Sequence, residues 1–383
     1  MRSLLFFFAL ALPVPAAAGA DEAARAAAAL VAPEPRGAES LFDREFFARM
    51  SLEKLNALFA ELYRERGGVT RTLLVSSGAW AGHYFYDTAG GWRLPVAVSL
   101  NPSGGKINGF FLSPPYRRSA ALAAARDRLA ALPGRKGLLA RRLGETPETL
   151  EALNEDEYFE VAALADLYVL GAMVKGGTSW RRVFRPLAGQ MLSGDRAAAD
   201  ALLAGLGRRR IESLLPALGH GAPERLRPFL KNSETAALRS DTETALKYLN
   251  LRPAEKYAFL SALPAAPPAP AQRSSFGLGK IGWQASPADL CRLLDYFRAG
   301  ADEGALALLA LNPGLPAGAG EFAYAGHKDG SGPGLLAAAW LLEDKKGRWT
   351  CLAAAWNNGA GDPEPGEFYG LLAGALAALA SAD

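Results

Sequence analysis

Leu167-Tyr168-Val169-Leu170-Gly171-Ala172 is the stretch around which the rest of the chain arranges itself. It carries no charge and reads as part of a buried helix. Just before it stand Ala163 and Asp166, which i, i+3 spacing places together on one helix face. Two strand candidates precede this region, Gly137–Leu143 and Thr149–Asn154, and long helical stretches fill about 160–270. Three strands follow, at about Glu321–His327, Leu335–Glu343 and Trp349–Trp356, and then an amphipathic helix from Glu367 to Ala380. Two strands before the helical block and three after it imply an α+β domain over 117–383. Its core is one five-stranded antiparallel sheet assembled from both ends of the domain and covered by helices, with an all-helical subdomain beside it.

Upstream of about Tyr116 the pattern differs. Ser51 caps a helix with Leu52, Leu55, Phe59 and Leu62 on one face, ended by Gly67-Gly68. β-like runs follow at Val69–Ser76, Trp80–Tyr86, Trp92–Leu100 and Ile107–Leu112. Residues 40–116 therefore form a small α+β domain, which resembles the NTF2-like accessory domains found ahead of some exported serine hydrolases. At the N-terminus, Arg2, an apolar run from Leu4 to Val14 and the small residues Ala18-Gly19-Ala20 read as a signal peptide over 1–20, cleaved near Ala20. A bilayer-crossing helix needs roughly 20 apolar residues, so a cleaved signal fits better than a transmembrane anchor. Residues 21–39 read as an Ala-rich mobile leader. The mature chain is expected to be exported from a bacterial-type cell, periplasmic or secreted.

The composition excludes other classes. With 50% hydrophobic and 21% charged residues and a net charge of +3 over 383 residues, the chain is ordinary globular protein. Lys and Arg are interspersed with Asp and Glu, so no basic stripe points to nucleic acid. His83, His220 and His327 are scattered, and Cys291 and Cys351 lack the spacing of a zinc site, so neither metal nor cofactor is expected. An exported location permits a disulfide, but Cys291 falls in a helix and Cys351 in a strand; two buried thiols is the plainer reading.

Four segments, in order, carry a family resemblance. Leu167–Ala172 followed by Thr178-Ser179-Trp180 looks like the helix after the nucleophile in class A β-lactamase-like hydrolases. Met191-Leu192-Ser193 leading to Ala201-Leu202-Leu203 resembles the region of that family's S-D-N motif. Pro228-Phe229-Leu230, then Ile281–Leu290, is similar to segments of an exported subgroup. His327-Lys328-Asp329-Gly330-Ser331-Gly332-Pro333-Gly334 resembles the K-[T/G]-G-S-x-P-G strand. The resemblance is to the class A β-lactamase and penicillin-binding serine hydrolase superfamily, and it implies the β-lactamase/transpeptidase-like fold.

It also implies that the chemistry has been lost. The family attacks with a serine at the head of the buried helix and deprotonates it with a lysine one turn on. Here those positions are Ala163 and Asp166. The S-D-N motif becomes Gly194-Asp195-Arg196, and Arg227 stands where class A enzymes place the glutamate that activates water. Arginine stays protonated and cannot serve as that base. Lys328 survives, while Asp329 would repel a substrate carboxylate by about 1 kcal/mol at contact distance. The backbone N–H groups of Ala163 and Ser331 remain as an oxyanion-hole-like pair. Asp166 is expected to pair with Arg196, with Lys328 as a second cation nearby. The implied function is a catalytically inactive homologue that binds a cell-wall peptide, a small ligand or an exported protein in the old cleft, through Lys328, Asp329, Gly330, Ser331, Asp166 and Arg196. The alternative is an active hydrolase of β-lactam, peptide or ester bonds using Asp166, Asp195 and Lys328, or Glu224, in a non-standard constellation.

Overall fold

The computed structural model describes residues 17–77, 80–103, 105–112, 115–117, 122–177, 183–263, 275–300, 302–315 and 321–381. Most of the expected signal peptide, Thr178-Ser179-Trp180 and the Pro264–Gln272 run lie outside the described residues. The chain divides into two units, Met1–Ser119 and Ala120–Asp383.

In the first unit, α1 (Ala17–Ala29) and α2 (Leu52–Arg66) accompany strands β1 (Val69–Ser77), β2 (Ala81–Thr88), β3 (Trp92–Leu100) and β4 (Ile107–Leu112), antiparallel in that order, with β5 (Tyr116–Arg117) also paired to β3. Ser51 Oγ accepts from Lys54 N at 3.3 Å, so the cap sits where the sequence puts it. Leu55 and Phe59 are buried, but Leu52 is exposed and faces away from this core. Residues 21–39 are not a mobile leader: α1 occupies them as far as Ala29, Leu30, Val31 and Ala38 are buried beyond it, and Ala20, Ala24 and Ala27 are fully buried with Tyr84, Tyr86 and Val98. Tyr86 Oη donates to Ala24 O at 2.5 Å. Alanine at i, i+4 and i+7 gives little hydrophobic contrast, yet its small side chain lets a helix backbone approach a sheet closely.

The second unit is built on a five-stranded antiparallel sheet, β10 (Tyr324–Gly332), β11 (Leu335–Glu343), β12 (Trp349–Asn357), β6 (Arg135–Arg142) and β7 (Glu148–Leu153), in that order. α3 (Leu122–Ala130) and α13 (Pro365–Ala380) pack on one face through Leu129, Leu372 and Leu376 against Leu138, Trp340 and Trp356. The other face carries the helical block: α4 (Asp166–Lys175), α5 (Arg185–Leu192), α6 (Arg196–Leu206), α7 (Arg208–Leu214), α8 (Asn232–Ser240), α9 (Thr242–Asn250) and α10 (Pro253–Ala262), then α11 (Pro287–Ala299) and α12 (Glu303–Leu309). Strands buried on both faces read as continuous apolar runs, and β11, Leu335–Glu343, is buried along nearly its whole length. Ser286 opens α11 with a reciprocal capping box: its hydroxyl accepts from Asp289 N at 3.0 Å, and Asp289 accepts from Ser286 N at 3.2 Å.

The two cysteines are not free thiols. Cys291 on α11 and Cys351 on β12 form a disulfide with Cα atoms 5.5 Å apart, fastening the helical block to the centre of the sheet. The separation that allows it is set by α11 lying across β12, a tertiary contact that local sequence does not encode.

Candidate functional site

The turn holding Ala163 is fixed by partners from distant parts of the chain. β8 (Phe159–Glu160) pairs with β9 (Gln284–Ala285), and Asn357 at the end of β12 bonds both sides of Glu160, accepting from its N–H at 2.8 Å and donating to its carbonyl at 3.0 Å. The Glu160 carboxylate is buried, ion-paired to Arg239 and bonded to Gly279 N at 2.9 Å. Burial raises its pKa, and Arg239 opposes that rise. The chain then makes a 3-10 turn, Ala162–Ala165, leading directly into α4. Ala162 has φ 47, a left-handed conformation that costs an L-residue about 1–2 kcal/mol and persists where the surroundings over-determine it.

Gly330 explains how close β10 comes to this turn. A Cβ on residue 330 would lie 2.2 Å from Val161 O and 2.9 Å from Ala163 N, so only glycine lets the strand press against the turn backbone. The N–H of Ala163 is thereby held beside the β10 backbone that leads to Ser331.

Beneath the turn the ionic arrangement departs from the expected one. Asp166 opens α4, is 9% exposed, and its Oδ2 lies 3.8 Å from Lys328 Nζ, which is 4% exposed. Burial pushes the Asp166 carboxyl up to about 7, with Lys328 pulling it down and Asp200 adding to the rise. The partner is Lys328 and not Arg196, which makes no ion pair among the described residues and sits exposed at the first position of α6. Capping accounts for this: Asp195 accepts from Ala197 N and Ala198 N at 2.9 and 3.1 Å, which starts α6 there and leaves Arg196 on its outer turn, after Gly194 at φ 96.

Asp329 is also misplaced by the sequence reading. Strand alternation pairs Lys328 with Ala339 on the helical-block face and Asp329 with Ala338 on the opposite face. There the Asp329 carboxylate accepts from Tyr369 Oη at 3.2 Å, so it is not directed at the cleft. Arg227 is no part of the site either; its guanidinium donates to Glu212 O at 3.0 Å.

A cavity of about 120 Å3 persists in front of Ala163, lined by Ala162, Ala163, Arg196, Asn232, Arg239 and Ser331 among others. Asp166 and Lys328 lie below it, outside its lining. Thr235 and Ser240 also reach it, but each hydroxyl donates to a carbonyl of α8 or its cap, Lys231 O at 3.0 Å and Ala237 O at 2.9 Å. Ser331 makes no side-chain hydrogen bond among the described residues, so no lining hydroxyl is coupled to a base. Sequence reading missed Glu160, Asn232, Thr235 and Arg239 as lining residues. They carry no local motif, and the Glu160–Arg239 pair spans 79 residues of chain.

No family model matches this chain, and neither does any curated protein. Among solved structures, the chain is similar to a β-lactamase from Desulfarculus baarsii at 21% identity and TM-score 0.44, covering 68% of this chain and 98% of that one. It is similar to a class A β-lactamase from Clostridium kluyveri at 15% identity and TM-score 0.47, covering 66% and 95%. A structure of PBP-A matches at 14% identity and TM-score 0.43, covering 68% and 94%.

Proposed function

We propose that this chain is an exported, non-catalytic descendant of the β-lactamase-like serine hydrolases that binds a ligand, a cell-wall peptide or an exported protein without forming a covalent bond to it. The observation that carries the reading is the methyl group of Ala163 at the head of a buried helix, with Lys328 below it held by Asp166 at 3.8 Å. Acyl transfer needs an attacking atom with a base in hydrogen-bond reach, and neither stands at this position. Water activation by Asp166 is disfavoured because its carboxylate is buried outside the cavity lining, and by Asp195 because its Oδ1 accepts the N-terminal amides of α6. The first unit is read as an NTF2-like accessory domain, with no role assigned to it.

The test is covalent labelling of the full chain with a fluorescent penicillin and a fluorophosphonate, beside an Ala163→Ser, Asp166→Lys variant. The natural protein is expected to remain unlabelled. Stoichiometric labelling at any residue of the cleft overturns the proposal.

A further inference from the structure

The cavity in front of Ala163 is smaller than the roughly 300–1,000 Å3 usual for small-molecule sites. A groove of about 730 Å3 lies on the other side of α8 and falls within that range. Helical spacing divides α8 between the two: Asn232, Thr235 and Arg239 border the cavity, while Ser233, Glu234 and Ala237 border the groove.

The groove is apolar at its floor and cationic at its sides. Leu203 of α6 and Leu260 of α10 are buried beneath it. Three cations line it, Arg208, Arg209 and Lys231, against one lining carboxylate, Glu234, and Arg209 also lies 3.6 Å from Glu212 Oε2 behind the groove. The Glu234 carboxylate is already taken by Arg208. Lys231 makes no ion pair among the described residues, and Arg208 Nε is buried there without a hydrogen-bond partner. Tyr257 forms an aromatic wall whose position is set from behind. Its hydroxyl donates to Glu212 Oε2 at 2.9 Å, the other Glu212 oxygen accepts from Phe229 N at 2.9 Å, and Arg209 stacks 3.5 Å from the ring centroid. A preformed concavity with an apolar floor and a few convergent polar groups is the general form of a ligand site.

We propose that this groove is a second ligand site, which takes a small amphipathic anion: an apolar or aromatic body on Leu203, Leu260 and Tyr257, with its acidic group toward Lys231 and Arg209. The site is independent of the cleft, so labelling of the cleft by penicillin would leave it standing.

The experiment is a fluorescence titration of the full chain with 8-anilinonaphthalene-1-sulfonate, with the uncharged N-phenyl-1-naphthylamine as control. Saturable binding of one sulfonate per chain is expected, with the neutral probe binding at least tenfold more weakly. Removing both charges in Arg209→Ala, Lys231→Ala should weaken the sulfonate by about fivefold or more, because a cation at contact distance contributes about a factor of five in water and the charge of Arg209 is shared with Glu212. Ala237→Trp, which fills the groove from α8, should abolish binding; the double-alanine variant stands as the test should the tryptophan variant not fold. No saturable binding, unchanged affinity in the double-alanine variant at an unchanged unfolding midpoint, or equal affinity for the neutral probe each overturns the proposal.

Discussion

Lys328 and Asp329 are neighbours in sequence and strangers in space. The face of the sheet toward the helical block receives Lys328, the Asp166 carboxylate, Gly330 pressed on the Ala163 turn, and the Cys291–Cys351 bridge. The face toward α13 receives His327, stacked 4.5 Å from Trp340, and Asp329 on the Tyr369 hydroxyl. Each face buries a titratable group. On the first it is an acid kept near neutrality by burial; on the second it is an imidazole that burial pushes down to about 4. The difference teaches that one strand serves two compartments, and a substitution one residue along changes which of them it perturbs.

The largest expected effect comes from breaking the buried pair. Lys328→Ala should lower unfolding free energy by up to about 3–5 kcal/mol at pH 8, where Asp166 is ionised in the natural protein and, without Lys328 to pull its pKa down, must stay charged without a partner or take up a proton. At pH 5 the carboxyl can hold its proton, so the loss should shrink. Denaturant unfolding at both values measures this, and an equal loss at both would mean that Asp166 and Lys328 are not coupled. Next comes the covalent tie on the same face: Cys291→Ala, Cys351→Ala, or reduction of the natural protein, should cost about 2–4 kcal/mol. An unshifted unfolding midpoint in reducing buffer would remove that contribution.

The opposed titrations of the two groups, which partly cancel in the natural protein, separate the faces by pH. Asp166 is raised from 3.8 to about 7, so its contribution to stability is complete below about pH 4 and is lost as pH rises to about 7. His327 is lowered from 6.5 to about 4, so its contribution is complete above about 6.5 and is lost as pH falls to about 4. The two slopes oppose each other over the same window. Asp166→Asn should make stability rise more steeply from pH 4 to 6.5, and His327→Gln should make it fall as pH rises from 4 to 7. Identical slopes in both variants and the natural protein would end the two-compartment account.

Much of the architecture was legible because it is local. Alternation and Gly or Asn turns mark the strands on either side of the helical block, and Ser51 and Ser286 announce their helices by side-chain chemistry that acts within three residues. What was not legible is what distant residues do to one another. The alanines of α1 look like a leader because alanine signals neither face strongly, and only a sheet to lie against turns them into core. The choice of Lys328 over Arg196 as the partner of Asp166 depends on where Asp195 starts α6. The groove behind α8 is assembled from α6, α7, α8 and α10, and no single window of sequence contains it.

The finest division between the faces is a single hydroxyl. Tyr369→Phe keeps the ring of α13 in place and removes only the donor to Asp329. A hydrogen bond to a charged group is worth about 1.5–3 kcal/mol when buried, but Asp329 is only half-buried and water can replace the lost donor, so a loss of about 1 kcal/mol is expected. The same substitution should leave the pH sensitivity of Lys328→Ala unchanged, because that sensitivity belongs to Asp166 across the sheet. A Tyr369→Phe variant that altered it would mean that the backbone of β10 transmits charge effects between its two sides, and that the strand is one compartment after all.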